Sequence, residues 1–389
     1  MFLLFYTISV LLFMLIIWFC YYLYLMEAFR FLLFPLALIY GFIIKVRNKL
    51  FDIRIFTSEK FNIPVISVGN LIAGGSGKTP MVEYLIRLLD ANRNIATLSR
   101  GYKRKTKGYR LAGENETVET LGDEPLQYHQ KFTQVNVAVC ENRREGIRNL
   151  IRDVADLETV ILDDAFQHRY VKPELSILVT DYFKLFTNDW LLPFGKLREH
   201  TSGRKRADII VITKTPRIFS PIVRKQLLED IKPFPGQLVC FSYINYLPFE
   251  PVYTSKCEYS GKTENVYSII MLTGIGNPGP MQEYLHRLCA DLELMEFPDH
   301  HEFSEKDLLL IKEKFKNLPT KRKIIVTTEK DAKRLQNAEA EAILGNLPIF
   351  YTPINFEFHP ADKMQFDEAV LAAVKSGTKK IAEIKSKDQ

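Results

Sequence analysis

The order of apolar and polar positions divides the chain into unlike stretches. Residues 1–26, MFLLFYTISVLLFMLIIWFCYYLYLM, contain no charge. A helix that long and apolar all round can cross the roughly 30 Å hydrocarbon core of a bilayer. Trp18, Tyr21, Tyr22 and Tyr24 gather toward its C-terminal end, where an interfacial belt sits. A second apolar segment, Phe31–Ile44, contains Pro35 and Gly41 and is short for a span. It is expected to lie in the interface or to dock on the body of the protein. Lys45, Arg47 and Lys49 follow directly, and the positive-inside rule keeps the rest of the chain in the cytoplasm. Met26 opens MEAFRFLLFPLALIYG, a plausible start in itself. On that reading residues 1–25 are an over-called start and the anchor is monotopic rather than spanning.

Beyond residue 60 the period changes. Pro64–Val68, Thr159–Leu162, Leu175–Thr180 and Asp208–Thr213 are β-branched apolar runs separated by helical or loop patterns, the first helix running from Pro80 to about Leu89. That alternation predicts a parallel sheet with helices on both faces. Residues 267–352 repeat it, with strands at Tyr267–Leu272, Glu293–Phe297, Lys323–Val326 and Leu347–Tyr351, and helices at Pro280–Cys289, Ser304–Phe315 and from Glu329. The predicted division is an anchoring segment 1–50, a first α/β domain 51–250, a linker 251–266, a smaller α/β domain 267–375 and a disordered basic tail 376–389. The Tyr-, Pro- and Ser-rich stretch around 245–263, with a second near 353–360, supplies the strands that join the domains.

Composition narrows the classes. In 389 residues the hydrophobic share of 47% and charged share of 25% are those of a globular protein. The net charge is +6, and half of it falls in the first fifty residues, where Arg30, Lys45, Arg47 and Lys49 face Glu27 alone. The rest is close to balanced, which does not suit a nucleic-acid binder. Five scattered Cys without a CxxC pair exclude a disulfide scaffold and a Cys-based zinc site.

The chemistry concentrates after the first strand. Ile72-Ala73-Gly74-Gly75-Ser76-Gly77-Lys78-Thr79 stands between a strand and a helix, the context of a P-loop. The glycines let backbone N–H groups turn toward phosphate oxygens, Lys78 reaches the β/γ-phosphates of ATP, and the Thr79 hydroxyl ligates Mg²⁺. The strict pattern has Gly where this chain has Ile72. Asp163 and Asp164 end the strand at Thr159–Leu162, where a P-loop partner completes the magnesium shell. Gly274-Ile-Gly-Asn-Pro-Gly279 is formally GxGxxG, but Pro278 and Pro280 remove amide donors, so it reads as a loop between the domains rather than a dinucleotide site. Asp299-His300-His301 reads as a metal cluster, a base or loop polarity; adjacent histidines are poor co-ligands for one metal. Arg100 offers a planar fork for phosphate, with Arg143 and Arg198 as weaker candidates.

Six separated strings now agree with one family: Ser67–Pro80, Leu98-Ser-Arg-Gly-Tyr102, Gly122-Asp-Glu-Pro125, Leu162-Asp-Asp-Ala-Phe-Gln-His168, Leu192–Glu199 and Thr327-Thr-Glu-Lys-Asp331, with Phe297-Pro-Asp-His-His301 besides. In order and spacing they resemble the tetraacyldisaccharide 4'-kinases, whose P-loop also lacks the first Walker glycine. Ala165 departs from the family's DDGFQH, and residues 1–25 extend beyond its usual start. The resemblance implies two α/β/α domains joined by a two-stranded linker. It implies transfer of the ATP γ-phosphate to the 4'-hydroxyl of a lipid A disaccharide 1-phosphate at the cytoplasmic face of the inner membrane, among its lipids; no nucleic acid is expected and no protein partner is inferred. It pairs His300 with Asp123 as a dyad on the sugar hydroxyl; Arg100, inside the SRGY string, is a candidate for the acceptor's 1-phosphate or the ATP phosphates. Thr79 and Asp163 are expected to hold magnesium, joined by Asp164 or Glu199 through water. The competing reading is a membrane-anchored P-loop ATPase or GTPase switch. It calls for a guanine-reading NKxD, and Thr213-Lys-Thr-Pro216 lacks the Asp.

Overall fold

The structure, a computed structural model, describes residues 31–90, 93–218, 220–253, 266–298 and 301–385. The expected crossing segment 1–26 lies outside the described residues, and among them no helix is long and apolar enough to cross a membrane. The Phe31–Ile44 segment opens helix α1 (Phe34–Asp52), with Pro35 in its first turn, where the missing N–H costs nothing. One side of α1 is fastened to the body. Tyr40 Oη donates to the Arg198 carbonyl at 2.6 Å, Asn48 Nδ2 to Glu199 at 3.0 Å and Arg47 to the Gln167 carbonyl at 3.1 Å. The other side leaves Leu38, Ile39, Phe42 and Ile43 exposed.

The first sheet is built from β1 (Val65–Gly69), β2 (Ile95–Ser99), β3 (Arg110–Leu111), β4 (Asn136–Val139), β5 (Thr159–Leu162), β6 (Leu175–Asp181), β7 (Ile209–Thr213), β8 (Leu238–Tyr246) and β14 (Ile354–Phe358). Its order is β14-β8-β7-β6-β1-β5-β2-β4-β3, parallel except for β3 and β14 at the edges. The near-continuous apolar runs follow from burial on both faces. Ile66 and Val68 pack with helix α2 (Lys78–Asp90) on one face, while Val65 packs with helix α5 (Arg143–Asp153) on the other. Helices α3 (Val118–Leu121) and α4 (Asp123–Lys131) lie between β3 and β4, and α6 (Pro221–Ile231) between β7 and β8. The chain reverses direction across the sheet at β1, flanked by β5 and β6; such a switch point places ligands beyond its C-terminal end.

The second sheet, β11-β10-β12-β13-β9, comprises β9 (Glu250–Pro251), β10 (Ser268–Thr273), β11 (Asp291–Glu296), β12 (Lys323–Thr328) and β13 (Ile349–Thr352). Helix α7 (Gly279–His286) covers one face, and α8 (Glu305–Asn317), α9 (Glu329–Leu335) and α10 (Ala338–Leu344) the other. The chain crosses between sheets twice, from β8 to β9 and from β13 to β14, and the Leu247 amide donates to the Pro353 carbonyl at 2.9 Å where they pass. These crossings join the two sheets, and the predicted linker 251–266 instead begins inside the second domain, because Pro251 pairs with Phe350 and Val252 and Tyr253 enter its core.

Two further expectations change. The second domain was expected to extend to residue 375, but β14 pairs with β8 and helix α11 (Pro360–Lys385) returns to the first domain, where Phe366, Val370 and Val374 enter its core. The basic tail, expected disordered from residue 376, is helical as far as Lys385. That apolar stripe fixes the helix on the sheet, and propagation beyond it costs little once the turns exist.

Candidate active site

The P-loop leaves β1 at the switch point and runs into α2. Gly74 (φ +119°) and Gly77 (φ +87°) adopt left-handed backbone that a side chain resists, and a Cβ on Gly77 would come within 3.1 Å of Thr213 Oγ1. Ile72 causes no strain: it bridges to Leu197, and the Ala73 amide donates to the Lys196 carbonyl at 2.8 Å. Buried Asn70 braces the loop from beneath, donating to Ser76 Oγ at 2.8 Å. Thr213 Oγ1 donates to the Ser76 carbonyl at 2.8 Å and Lys214 Nζ to the Gly75 carbonyl.

Lys78 and Thr79 open α2 and face the strand-end acids. Lys78 Nζ lies 3.6 Å from Asp164 Oδ1. Asp164 sits at φ +49°, so the left-handed residue of that turn is the Asp, and Ala165 in place of Gly is accommodated. Arg198 Nη1 donates to both Asp164 oxygens at 2.7 and 2.8 Å. Burial opposes its charge, but Lys78 and Arg198 outweigh that and hold its carboxyl below the usual range. Asp163 is 2% exposed and accepts from Tyr128 Oη at 3.2 Å and Ser99 Oγ at 3.4 Å. Burial first, then the neighbouring Glu124 and Asp164 charges, push it up to about 7 against Lys78 and Arg143.

Glu124 is the acid that motif reading passed over. It stands in the Gly122–Pro125 string, and its Oε1 accepts from Thr79 Oγ1 at 3.1 Å. Thr79, Asp163 and Glu124 therefore form a hydroxyl and two carboxylates beside the phosphate loop. Among the described residues no group of three or more His, Cys, Asp or Glu could hold a metal by itself. Magnesium beside phosphates needs no such cage, taking one or two carboxylates and completing its shell from phosphate and water, so the donor set fits it. Glu199, expected as an outer ligand, is 2% exposed and takes hydrogen bonds from Asn48, Gln167 and Arg206, which tie α1 to the loop before it.

The arginines divide. Arg143 is buried, donating to the carbonyls of Cys140 and Asp163 at 2.5 and 3.3 Å, and burial pulls its guanidinium down to about 10. It braces the acidic turn. Arg198 is committed to Asp164. Arg100 is exposed in the cleft, with no ion pair among the described residues.

Asp123 is the first residue of α4, and its carboxylate lies 3.8 Å from Arg334 of the second domain. His300 lies outside the described residues, so its pairing with Asp123 is not described. Its neighbour His301 is engaged locally: Nε2 is 3.0 Å from Asp307 Oδ2 and the ring stacks on Phe297.

One cavity of about 810 Å³ joins these parts. It is lined by the P-loop, Arg100, Asp123, Glu124, Asp163 and Asp164; by Ile275, Gly276 and Asn277 from the GxGxxG-like loop; and by Tyr40, Ile44 and Arg47 of α1. That loop faces the cleft, as the Pro-interrupted pattern suggested.

With Asp163 near neutral pH, a proton competes with a cation for it. The apparent magnesium affinity of the ATP-bound protein is expected to rise from pH 6 to 8, and Asp163→Asn to raise the magnesium needed for half-maximal activity. A flat pH dependence with an unchanged requirement in the variant would place the metal elsewhere.

A braced P-loop beside paired strand-end acids, opening into an interdomain cleft, defines a P-loop phosphotransferase-type protein. Residues 29–375 match the family described as LpxK, tetraacyldisaccharide-1-P 4'-kinase. A tetraacyldisaccharide 4'-kinase from Bacteroides thetaiotaomicron is 42% identical over 89% of this chain and 94% of its own. One from Flavobacterium psychrophilum is 43% identical over 91% and 99%. The crystal structure of LpxK from Aquifex aeolicus in complex with ATP superposes with a TM-score of 0.66 at 29% identity, covering 89% of this chain and 99% of that one. The chain belongs to the tetraacyldisaccharide 4'-kinase family.

Proposed function

We infer that this chain transfers the γ-phosphate of ATP to the 4'-hydroxyl of a tetraacyldisaccharide 1-phosphate at the cytoplasmic face of the inner membrane. One observation carries the reading: a single cavity is lined by the P-loop and by the inward side of α1, whose outward side is an exposed apolar surface. A soluble acceptor would need no such helix at the mouth. An amphiphile can keep its acyl chains beside α1 while its sugar enters. The ATP-bound relative supports the choice of nucleotide.

On this reading the residues take the following roles. The P-loop amides and Lys78 bind the β/γ-phosphates. Thr79, Asp163 and Glu124 would hold magnesium, which when bound neutralises phosphate charge. Arg100 meets the acceptor's 1-phosphate, and Asp123 with His300 takes the hydroxyl proton. A kinase of this kind releases ADP much faster when detergent-dispersed acceptor is added, whereas a switch hydrolyses slowly regardless of it. Equal ADP release with and without the lipid would favour the switch.

Anchoring belongs to the same reading. Phe34 meets Trp190 and Phe194 edge-on at 6.3 and 5.5 Å, so the loop at 190–194 extends the apolar surface of α1, and Trp190 is 60% exposed. A chain beginning at Met26 is expected to float with phospholipid vesicles and to stay active. Replacing Leu38, Phe42 and Trp190 with serine should release it. A Met26 chain that stays soluble without detergent would assign the anchor to residues 1–25.

A further inference from the structure

Helix α9 of the second domain lies along α4 of the first with matching polar groups. Glu329 lies 3.7 Å from Lys131 and Lys330 3.8 Å from Glu124, while Lys333 Nζ donates to Gln130 at 3.3 Å and Arg334 Nη2 lies 3.8 Å from Asp123 Oδ2. Partly exposed pairs at such separations add little stability singly. Arg334 differs because it is held from behind. Its Nη1 donates to Asp331 Oδ1 at 2.7 Å, and Asp331 has no exposure. The other oxygen of Asp331 accepts from the Gly274 amide at 2.9 Å and from Thr328 Oγ1 at 2.7 Å. Asp331 thus binds together the ends of β10 and β12. Gly274 is also close to the segment leading to residue 299, since a Cβ there would stand 3.3 Å from the Pro298 carbonyl.

We propose that Arg334, seated on Asp331, is the positioning residue through which the second domain holds the Asp123 carboxylate in place for its part in the base dyad. The guanidinium is suited to this because its rigid fork can bond one carboxylate while it faces another, which a point-charge ammonium cannot reproduce. Two carboxylates on different domains share one cation, so the geometry at Asp123 depends on how the domains stand together. The role rests on Asp123 belonging to the dyad that takes the hydroxyl proton.

Steady-state kinetics on the full chain, with ATP and detergent-dispersed tetraacyldisaccharide 1-phosphate, test it. Arg334→Ala is expected to lower kcat about 10- to 100-fold, the scale of a misplaced catalytic group, with KM for ATP within about twofold. Arg334→Lys should recover part of that loss. In an Asp123→Asn background, Arg334→Ala should cost little more, because residues acting as a unit are non-additive. If the loss is instead the same factor in both backgrounds, or falls on KM for ATP, Arg334 only staples the domains and the proposal is overturned while the active-site reading stands. If Asp123→Asn is as active as the native chain, both fall. Should the alanine variant melt early, Arg334→Lys decides alone: a reduced kcat at native melting temperature supports the role, and a native kcat overturns it.

Discussion

Lys78→Ala is expected to reduce turnover roughly 10²–10³-fold, the scale of removing one preorganised donor from a developing charge. Lys78 sits at the start of α2 with its side chain 11% exposed and its ammonium 3.6 Å from Asp164. It is therefore oriented before nucleotide arrives and spends little on reorganisation when β/γ-phosphates enter. The fold should survive the change, because Asp164 keeps two hydrogen bonds from Arg198. The loss should appear in kcat, measured by ADP release, while circular dichroism and melting temperature stay near native. Near-native turnover would remove the P-loop assignment.

Asp123→Ala and His300→Ala are each expected to lose about 10²–10⁴-fold, the range of general-base catalysis, while ATP binding is retained. A sugar hydroxyl has a pKa far above 7, so its attack gains from a positioned proton acceptor. Imidazole, with an ordinary pKa of about 6.5, is mostly neutral above pH 7. A carboxylate on the other ring nitrogen fixes the tautomer and stabilises the imidazolium as it forms. Asp123 is placed at the N-terminus of α4, on the cleft. The double variant should be little worse than either single one. Losses that multiply would mean that the two act separately. His301→Ala is the control. Its ring is held by Asp307 and Phe297, so the variant should keep most of its activity, and an inactive His301 variant would show that the wrong histidine was chosen.

What the sequence made legible was local. β1, β5, β6 and β7 are β-branched runs buried on both faces, so composition alone located them, and the P-loop was legible because its glycines, lysine and threonine are contiguous. The magnesium acids were half legible. Asp163 ends a strand, but Glu124 reaches Thr79 only because α4 is laid against α2 by the sheet, a contact 45 residues apart. Glu124 and Tyr128 share one face of α4 at i,i+4, a pattern that could have paired them over Asp163. The two-residue strands β3 and β9 carry no periodicity to read. Phe366, Val370 and Val374 recur every four residues along α11, yet nothing local says that the helix returns to the first domain, because the core it joins, with Ile66, Val68 and Leu85, lies some 300 residues earlier. The paired histidines were ambiguous from spacing alone, and only the family pattern favoured His300.

The central claim is phosphoryl transfer to one hydroxyl of a lipid disaccharide. The direct measurement supplies ATP labelled at the γ-phosphate and unlabelled tetraacyldisaccharide 1-phosphate in detergent, then treats the lipid product with mild acid, which strips an anomeric phosphate and spares a sugar ester. The predicted result is label on the disaccharide that survives the acid and is absent with the Lys78→Ala chain. Label found only as free phosphate, or lost from the lipid with the anomeric group, would contradict it.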